Sequence, residues 1–509
     1  MPSTFQQKLS LRNRILMLGV MLAIGLGNIC TERLTANDGL GWDGMTYAAL
    51  ASDFSELVFV QKVDEYRVGR ILPCAIVHVG MRLVGARPTN HNIILAFDIY
   101  NFMLLMGCVY VWGLIAETLN LRTSAAWLGF CFLFLSYAIL KNNFYAPVST
   151  DTSAFALGIL TLYFYLTRKN LGLIGVMIAG AFTWPTVPAM AALLYMFPRI
   201  ENPGARPVAP LHRLNVWCAA IAATGVCAAL LLLTGPLVQR LLATFPRFLR
   251  LNMSLLYLSI AATTVYVFFS VRAVLGEGKL FNLRAVWEEL RWKSALVAVM
   301  LLIALKITTH LMANDVGPWA TPKMFVGYIL ALSVSDPLLF FVAHVIYFGP
   351  VVIVLTLLWK PFCDSLSTFG IGLRLFVILN LALSLNSQSR QMINGLAVFV
   401  ALMTMILDRR RLKSGEVVGW ALLCLIYSKV WYVMNRGSQQ WDGTMEDLLA
   451  FPLQHLYMNI GPWISHEMYL VQAGVVALTT AILYFLLRTR GHELKASADI
   501  GQNAAQAES

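Results

Sequence analysis

GWDGMTYAALASDFSELVFVQKVDEYRVGR, residues 41–70, interrupts an otherwise apolar chain. It carries Asp43, Asp53, Glu56, Asp64 and Glu65 together with Lys62, Arg67 and Arg70. Just before it, residues 15–30 form an apolar run behind Lys8, Arg12 and Arg14. Basic residues in front and no convincing small-residue cleavage site make that run a signal anchor, the first crossing helix. The charged tract then emerges into water directly after the first crossing. Charged side chains placed beside lipid-facing segments point to function.

The rest of the chain sets the class. Of 509 residues, 58% are hydrophobic and 13% charged, against about 25% charged in a soluble domain. Mean hydropathy is +0.69, and runs long enough to cross a hydrocarbon core of about 30 Å recur throughout. The expected fold is all-α, a polytopic membrane protein with about 12–14 transmembrane helices. The net charge of +12 reads as basic cytoplasmic loops rather than nucleic-acid binding. Eight scattered cysteines form no CxxC and no Cys/His cluster, so neither a metal nor a redox centre is expected.

Spans are expected near 93–117, 124–140, 152–167, 214–234, 253–275, 294–312, 338–358, 369–385, 392–408, 416–434 and 468–487. Residues 71–85, ILPCAIVHVGMRLVG, are too short to cross and read as a helix lying on the outer surface. With that helix on the surface, Arg168-Lys169, Arg409-Arg410-Arg411, Arg488 and Arg490 fall on the cytoplasmic side, as the positive-inside rule requires. Both termini are then cytoplasmic and residues 31–92 form an outer loop, periplasmic in a bacterium. Residues 171–198 are broken by Trp184-Pro185 and Pro188 into two half-length pieces. Basic amphipathic stretches at 238–250 and 279–293 read as interfacial. Residues 1–490 form one membrane domain, and the polar, Ala-rich 491–509 is expected to be a disordered cytoplasmic tail.

Several residues carry possible chemistry. Asp43, in Trp42-Asp43-Gly44-x-x-Tyr47, is a carboxylate at the membrane surface between aromatic residues that stack on sugars. It suits a general base, and equally a helix N-cap. Arg67-x-x-Arg70 places two guanidiniums on about one helix face, a phosphate grip or, equally, a pair facing solvent or lipid headgroups. Asp151, after Pro147, is a second acid on the outer side, or the first turn of the next helix. Lys306 and His310 lie four apart near the outer end of a span, and Arg390 sits in the outer hairpin Gln388-Ser389-Arg390-Gln391. Each is a phosphate candidate, against a snorkelling lysine and an ordinary polar turn. Asp98 lies inside a span, where an ionisable group suggests function or a bond to a neighbouring Tyr or Arg. His344 reads as a satisfied core histidine. HExxH, P-loop, GxSxG and dinucleotide fingerprints are all absent from the sequence.

On these residues the chain resembles the GT-C superfamily of membrane glycosyltransferases. Trp42-Asp43-Gly44-x-x-Tyr47-x-x-Leu50-Ala51 is similar to the WDG-type motif of the GPI mannosyltransferase II-like branch. Arg67-x-x-Arg70-Ile71-Leu72-Pro73 and Pro147-x-x-x-Asp151 look like bacterial cell-envelope relatives that use polyprenyl-phosphate sugars. The likeness covers about residues 10–200. It implies a long first outer loop with surface helices, catalytic Asp43 and Asp151, and a lipid-phosphate site drawn from Trp42, Tyr47, Arg67, Arg70, Lys306, His310 and Arg390. Two departures stand out. Asp43 has no acid beside it, unlike DxD-type members, so no divalent metal or other cofactor is implied, and no large soluble C-terminal domain is present.

The expected function is transfer of a sugar from a lipid-linked donor to a glycan, lipid or protein acceptor at the outer face of the inner membrane. Membrane lipids are the other expected partners, and nucleic acid is not one. Two rival readings stand beside it. An O-antigen-type polymerase or ligase would rely on Arg436, His455 and His466 in a later loop. A lipid or solute transporter would use the broken segment 171–198.

Overall fold

The structure, a computed structural model, describes residues 9–29, 31–200, 212–232, 252–276, 280, 283–316, 322–434, 464 and 466–507. The amphipathic stretch at 238–250 and the loop holding Arg436 and His455 lie outside these residues. The fold is 79% helix, and no strand occurs among the described residues.

Helix α1 (Leu11–Ile29) is the first apolar run. The loop expected from the sequence on the outer face, the outer loop, follows with α2 (Asp43–Ser52), α3 (Glu65–Val68) and α4 (Ile71–Leu83). At 13 residues α4 is only about 20 Å long, too short to span. Then come α5 (Asn90–Thr118), α6 (Thr123–Phe134) and the single turn α7 (Asn143–Tyr145). A π-turn at Ala138–Asn142 separates α6 from α7 and accompanies a 51° bend, where the sequence suggests one straight span.

Beyond the bend are α8 (Asp151–Leu166), α9 (Asn170–Ala181), α10 (Thr186–Met196) and α11 (His212–Leu232). The break between α9 and α10 falls at Trp184-Pro185, where the sequence puts it. The second half holds α12 (Leu256–Leu275), α13 (Leu283–Glu289), α14 (Trp292–Met312) and α15 (Pro322–Ser333). Next are α16 (Leu339–Phe348), α17 (Val351–Leu357), α18 (Trp359–Leu366) and α19 (Ile371–Leu383). The chain closes with α20 (Leu396–Arg409), α21 (Ser414–Ser428) and α22 (His466–Ala507). Gly349 at φ +84° and Pro350 split the expected span 338–358 into α16 and α17. Helix α22 continues through residue 507, where composition suggests a disordered tail; its alanines favour helix.

Among the described residues, six helices are long and apolar enough to cross a membrane, and a seventh counts if the bent 123–145 pair is one span. Their surroundings differ. Three-quarters or more (78%) of the Ser389–Arg409 span is buried inside the protein, but only 17% of α14. The exposed face of α14 is apolar, with Leu296, Val299, Met300, Ile303, Ile307 and Leu311. Apolar surface on that scale needs a hydrocarbon solvent. The protein is therefore a polytopic all-α membrane protein.

Its main core is aromatic and aliphatic, including Trp112, Phe130, Phe134, Phe155, Trp184, Phe340 and Phe362. A separate small core supports the outer loop. There Tyr47, Leu50, Val68, Ile71, Cys74 and Val77 pack with Phe97 and Val148. Gly44 permits a close approach to the turn before α8: a Cβ there would meet the Val148 carbonyl oxygen at 3.0 Å. The sequence thus mounts the loop rigidly on α5 and on the turn before α8.

Candidate active site

A cavity of about 990 Å³ lies between the outer loop, the start of α8, the α9–α10 break, α14 and the turn before α20. Its lining joins residues far apart in sequence. Trp42, Asp43, Tyr47, Arg67, Arg70, Asp151, Lys306 and Arg390 all contribute. His310, proposed from sequence with them, is not part of the wall, and neither are Asp98, His344 and His466.

Asp43 opens α2, with Trp42 at the N-cap position and no side-chain capping bond. Its carboxylate is therefore not spent on the helix end, although the positive end of α2 favours a negative charge there. It instead accepts a hydrogen bond from Arg390 Nη2 at 3.0 Å. The Asp43 side chain is 43% accessible, and that accessible surface faces the cavity. Desolvation pushes its pKa up, but Arg390, with Arg70 and Arg67 behind it, prevails and holds the carboxyl below its ordinary value. Asp43 is thus an anion in the free protein. Tyr47, one turn on, is buried, and desolvation drives its phenol well above the ordinary range, so it keeps its proton.

Arg390 sits on a 3₁₀ turn, Ser389–Gly395, that leads into α20. The turn is anchored from behind. His344 Nε2 donates to the Ser384 carbonyl at 2.8 Å, and its Nδ1 accepts from Ser389 Oγ at 2.9 Å. Gln388 Nε2 donates to Tyr328 Oη at 2.9 Å. His344 is thus the satisfied core histidine expected from sequence, and it fixes the residue next to Arg390. The Arg390 Nε is buried without a hydrogen-bond partner.

The two loop arginines do not share a helix face. Gly69 ends α3, and Arg70 becomes the residue that precedes α4. Arg67 stays half exposed and pairs with Asp64, the N-cap of α3. Arg70 is only 3% exposed. Its guanidinium lies over the Tyr66 ring at 3.8 Å and near Trp184 at 5.1 Å, and Nη1 donates to the Tyr66 carbonyl at 3.1 Å. No carboxylate pairs with it among the described residues. The α9–α10 break explains this placement. With the helix interrupted, the Phe182 carbonyl is free to accept the Leu72 N–H at 2.9 Å, which docks the start of α4 there.

Lys306 reaches across to Glu65, and His310 Nδ1 stands 3.6 Å from the other Glu65 oxygen. Residues 62–65 are also tied to the end of α14: Lys62 Nζ donates to the Leu311 carbonyl at 3.1 Å and Glu65 N to the Asp315 carbonyl at 2.9 Å. Asp151, first residue of α8, is 6% exposed, and Thr150 at the cap position makes no side-chain bond. Its carboxyl lies within electrostatic reach of Arg390, Asp43 and Arg70. Asp98 is not in the cavity; it pairs with Arg33 at 2.5 Å. His466 is also elsewhere, 2.9 Å from Asp336.

Four carboxylates (Asp43, Asp64, Glu65, Asp151) and four cations (Arg67, Arg70, Lys306, Arg390) line the cavity. The walls add Tyr66, beside Arg67 in the charged tract but not singled out there, and Tyr328 and Tyr347, which lie in apolar stretches without a distinguishing pattern. Chemically the site can hold an anion on guanidinium groups, stack a ring against aromatic faces, and take a proton on a carboxylate. Comparison of the chain with protein families, with curated proteins and with solved structures returns no match. Function is therefore argued from the chemistry of the site.

Proposed function

We propose that the protein is an integral membrane glycosyltransferase of the GT-C type, built on about 12–14 transmembrane helices, that takes its sugar from a polyprenyl-phosphate donor. The observation that carries this reading is the convergence of Asp43, Arg390 and Arg70 on one cavity beside a thinly packed, lipid-exposed helix. A lipid-linked donor would slide in past α14 with its chain still in hydrocarbon. Arg70 and Arg390, assisted by Arg67 and Lys306, would hold the phosphate. Trp42, Tyr66 and Tyr328 would stack on the sugar.

In the transfer step the acceptor hydroxyl oxygen attacks the anomeric carbon and the bond from that carbon to the phosphate oxygen breaks. The bonding pair leaves with the lipid phosphate, whose new negative charge falls against the guanidinium groups. The hydroxyl proton passes to Asp43, and attack opposite the leaving group inverts the anomeric centre. Asp151 would orient the acceptor. In this reading the cavity opens on the outer face of the inner membrane, both termini are cytoplasmic, and the acceptor is a cell-envelope glycan, lipid or protein.

The test is transfer of labelled sugar from a short-chain polyprenyl-phosphate hexose in proteoliposomes. Asp43→Asn should lower the rate on the order of 10³-fold, within the range for removal of a positioned base, while the variant still inserts and folds. Full activity in Asp43→Asn would end this mechanism. One observation favours a second reading, a lipid transporter: the broken α9–α10 segment supplies Pro185, Thr186 and Pro188 to the cavity wall. Lipid flipping in the same vesicles without sugar transfer would support it.

A further inference from the structure

Three of the four cavity cations are already held by acids: Arg390 by Asp43 at 3.0 Å, Arg67 by Asp64, and Lys306 by Glu65. Arg70 alone is presented by aromatic rings and a backbone carbonyl instead. The most consequential pair is Asp43–Arg390. A carboxylate in direct contact with a guanidinium has little appetite for a proton, so the arrangement suited to storing Asp43 is unsuited to using it as a base. Arg390 also retains a buried Nε–H without a partner, 3₁₀-anchored by Ser389 and His344 beside the cavity. Leaving such a donor unmatched is unfavourable, and an anion in the cavity would match it.

We infer that the donor phosphate, captured first by Arg70, takes Arg390 away from Asp43 and thereby arms Asp43 to accept the proton of the second substrate. The inference rests on the transferase reading above and adds an order to it: lipid phosphate before acceptor. Without donor, Asp43 stays paired and cannot deprotonate a stray hydroxyl or water. With donor bound, Arg390 turns its fork to the phosphate, where a bidentate contact is available. Asp43 is left partly buried with its nearest countercharge engaged, and its proton affinity rises. The charges then stay balanced through the reaction: as the leaving phosphate gains a negative charge, Asp43 loses one by taking the proton.

The experiment measures binding alone, by calorimetry of the purified full-length protein in detergent with farnesyl phosphate as probe. Asp43→Asn frees Arg390 in advance, so the probe should bind on the order of tenfold more tightly than to the parent. In an Arg390→Gln background the same Asp43→Asn change should leave the affinity within about twofold. Asp43→Ala removes the same charge and serves if Asp43→Asn does not fold. Unchanged or weaker binding in the Asp43 variants overturns the exchange. Equal tightening with and without Arg390 also overturns it, because simple repulsion between Asp43 and the probe then accounts for the effect. A parent protein that does not bind farnesyl phosphate at all removes the transferase reading itself.

Discussion

Among the ion pairs that tie the outer loop to the membrane body, the one at its base and the one at its tip are built differently. At its base, Lys141 Nζ lies 2.5 Å from Glu32 and donates to the Tyr432 carbonyl at 2.8 Å, while Glu32 accepts the Met434 N–H at 2.6 Å. Both side chains are nearly buried, 8% and 13% exposed. At its tip, Asp43 and Arg390 are 43% and 24% exposed, into a cavity, and Arg390 keeps an unmatched donor. The elementary interaction is the same. The base pair is embedded in further hydrogen bonds to backbone, which fixes it. The tip pair has room on one side and capacity to spare, which lets it change partners. An ion pair is thus structural or functional according to what surrounds it.

The comparison breaks most easily at the base. Lys141→Ala leaves Glu32 buried without its cation and should destabilise the protein by about 3–5 kcal/mol, read as a large fall in melting temperature in detergent. Protein that remains folded should transfer sugar with an unchanged KM, since Lys141 does not line the cavity. A Lys141→Ala protein as stable as the parent would show that the base is no firmer than the tip.

A smaller effect is expected at Arg70. Arg70→Lys keeps the charge but loses the planar fork and the stacking on Tyr66 and Trp184. The KM for donor should rise about tenfold with kcat nearly unchanged, the pattern of binding lost equally in ground and transition states. A drop in kcat with KM unchanged would move Arg70 from capture to transition-state stabilisation.

Much of this was legible in the sequence because it depends on local pattern. The short apolar run at 71–85 forms α4, a helix too short to span; Trp184-Pro185 interrupts its helix; and the acidic and basic tract after α1 lines a cavity. Of the eight candidate catalytic and phosphate-binding side chains besides Asp43, seven line the cavity with it, and His310 does not. The pairings were not legible. Asp43 meets Arg390 across 347 positions and Lys306 meets Glu65 across 241. Nothing local specifies contacts over such separations. The bend at Ala138–Asn142 and the break at Gly349-Pro350 also went unread, because both lie inside apolar runs whose hydropathy is continuous. Arg67 and Arg70 fell on different elements because Gly69 ends a helix that their spacing alone would continue.

The smallest predicted effect is the sharpest test of the tip pair. In the free protein, burial raises the Asp43 pKa and Arg390, Arg70 and Arg67 lower it further than that, leaving it below the ordinary 3.8. A depressed carboxyl contributes stability that is complete above its unfolded value and lost as pH falls through its folded value. The contribution of Asp43 to the melting temperature should therefore be constant from about pH 5 to 8. The acid limb of kcat/KM reports the free protein, so the part due to Asp43 should lie below about pH 4. The acid limb of kcat reports the donor complex. If the phosphate has drawn Arg390 away, the carboxyl is released toward or above its ordinary value, and the kcat limb should lie at higher pH than the kcat/KM limb. Parallel pH–rate profiles on the parent protein measure that offset. Two limbs at the same pH would mean that Arg390 stays on Asp43 throughout the cycle, and that the tip of the loop is as fixed as its base.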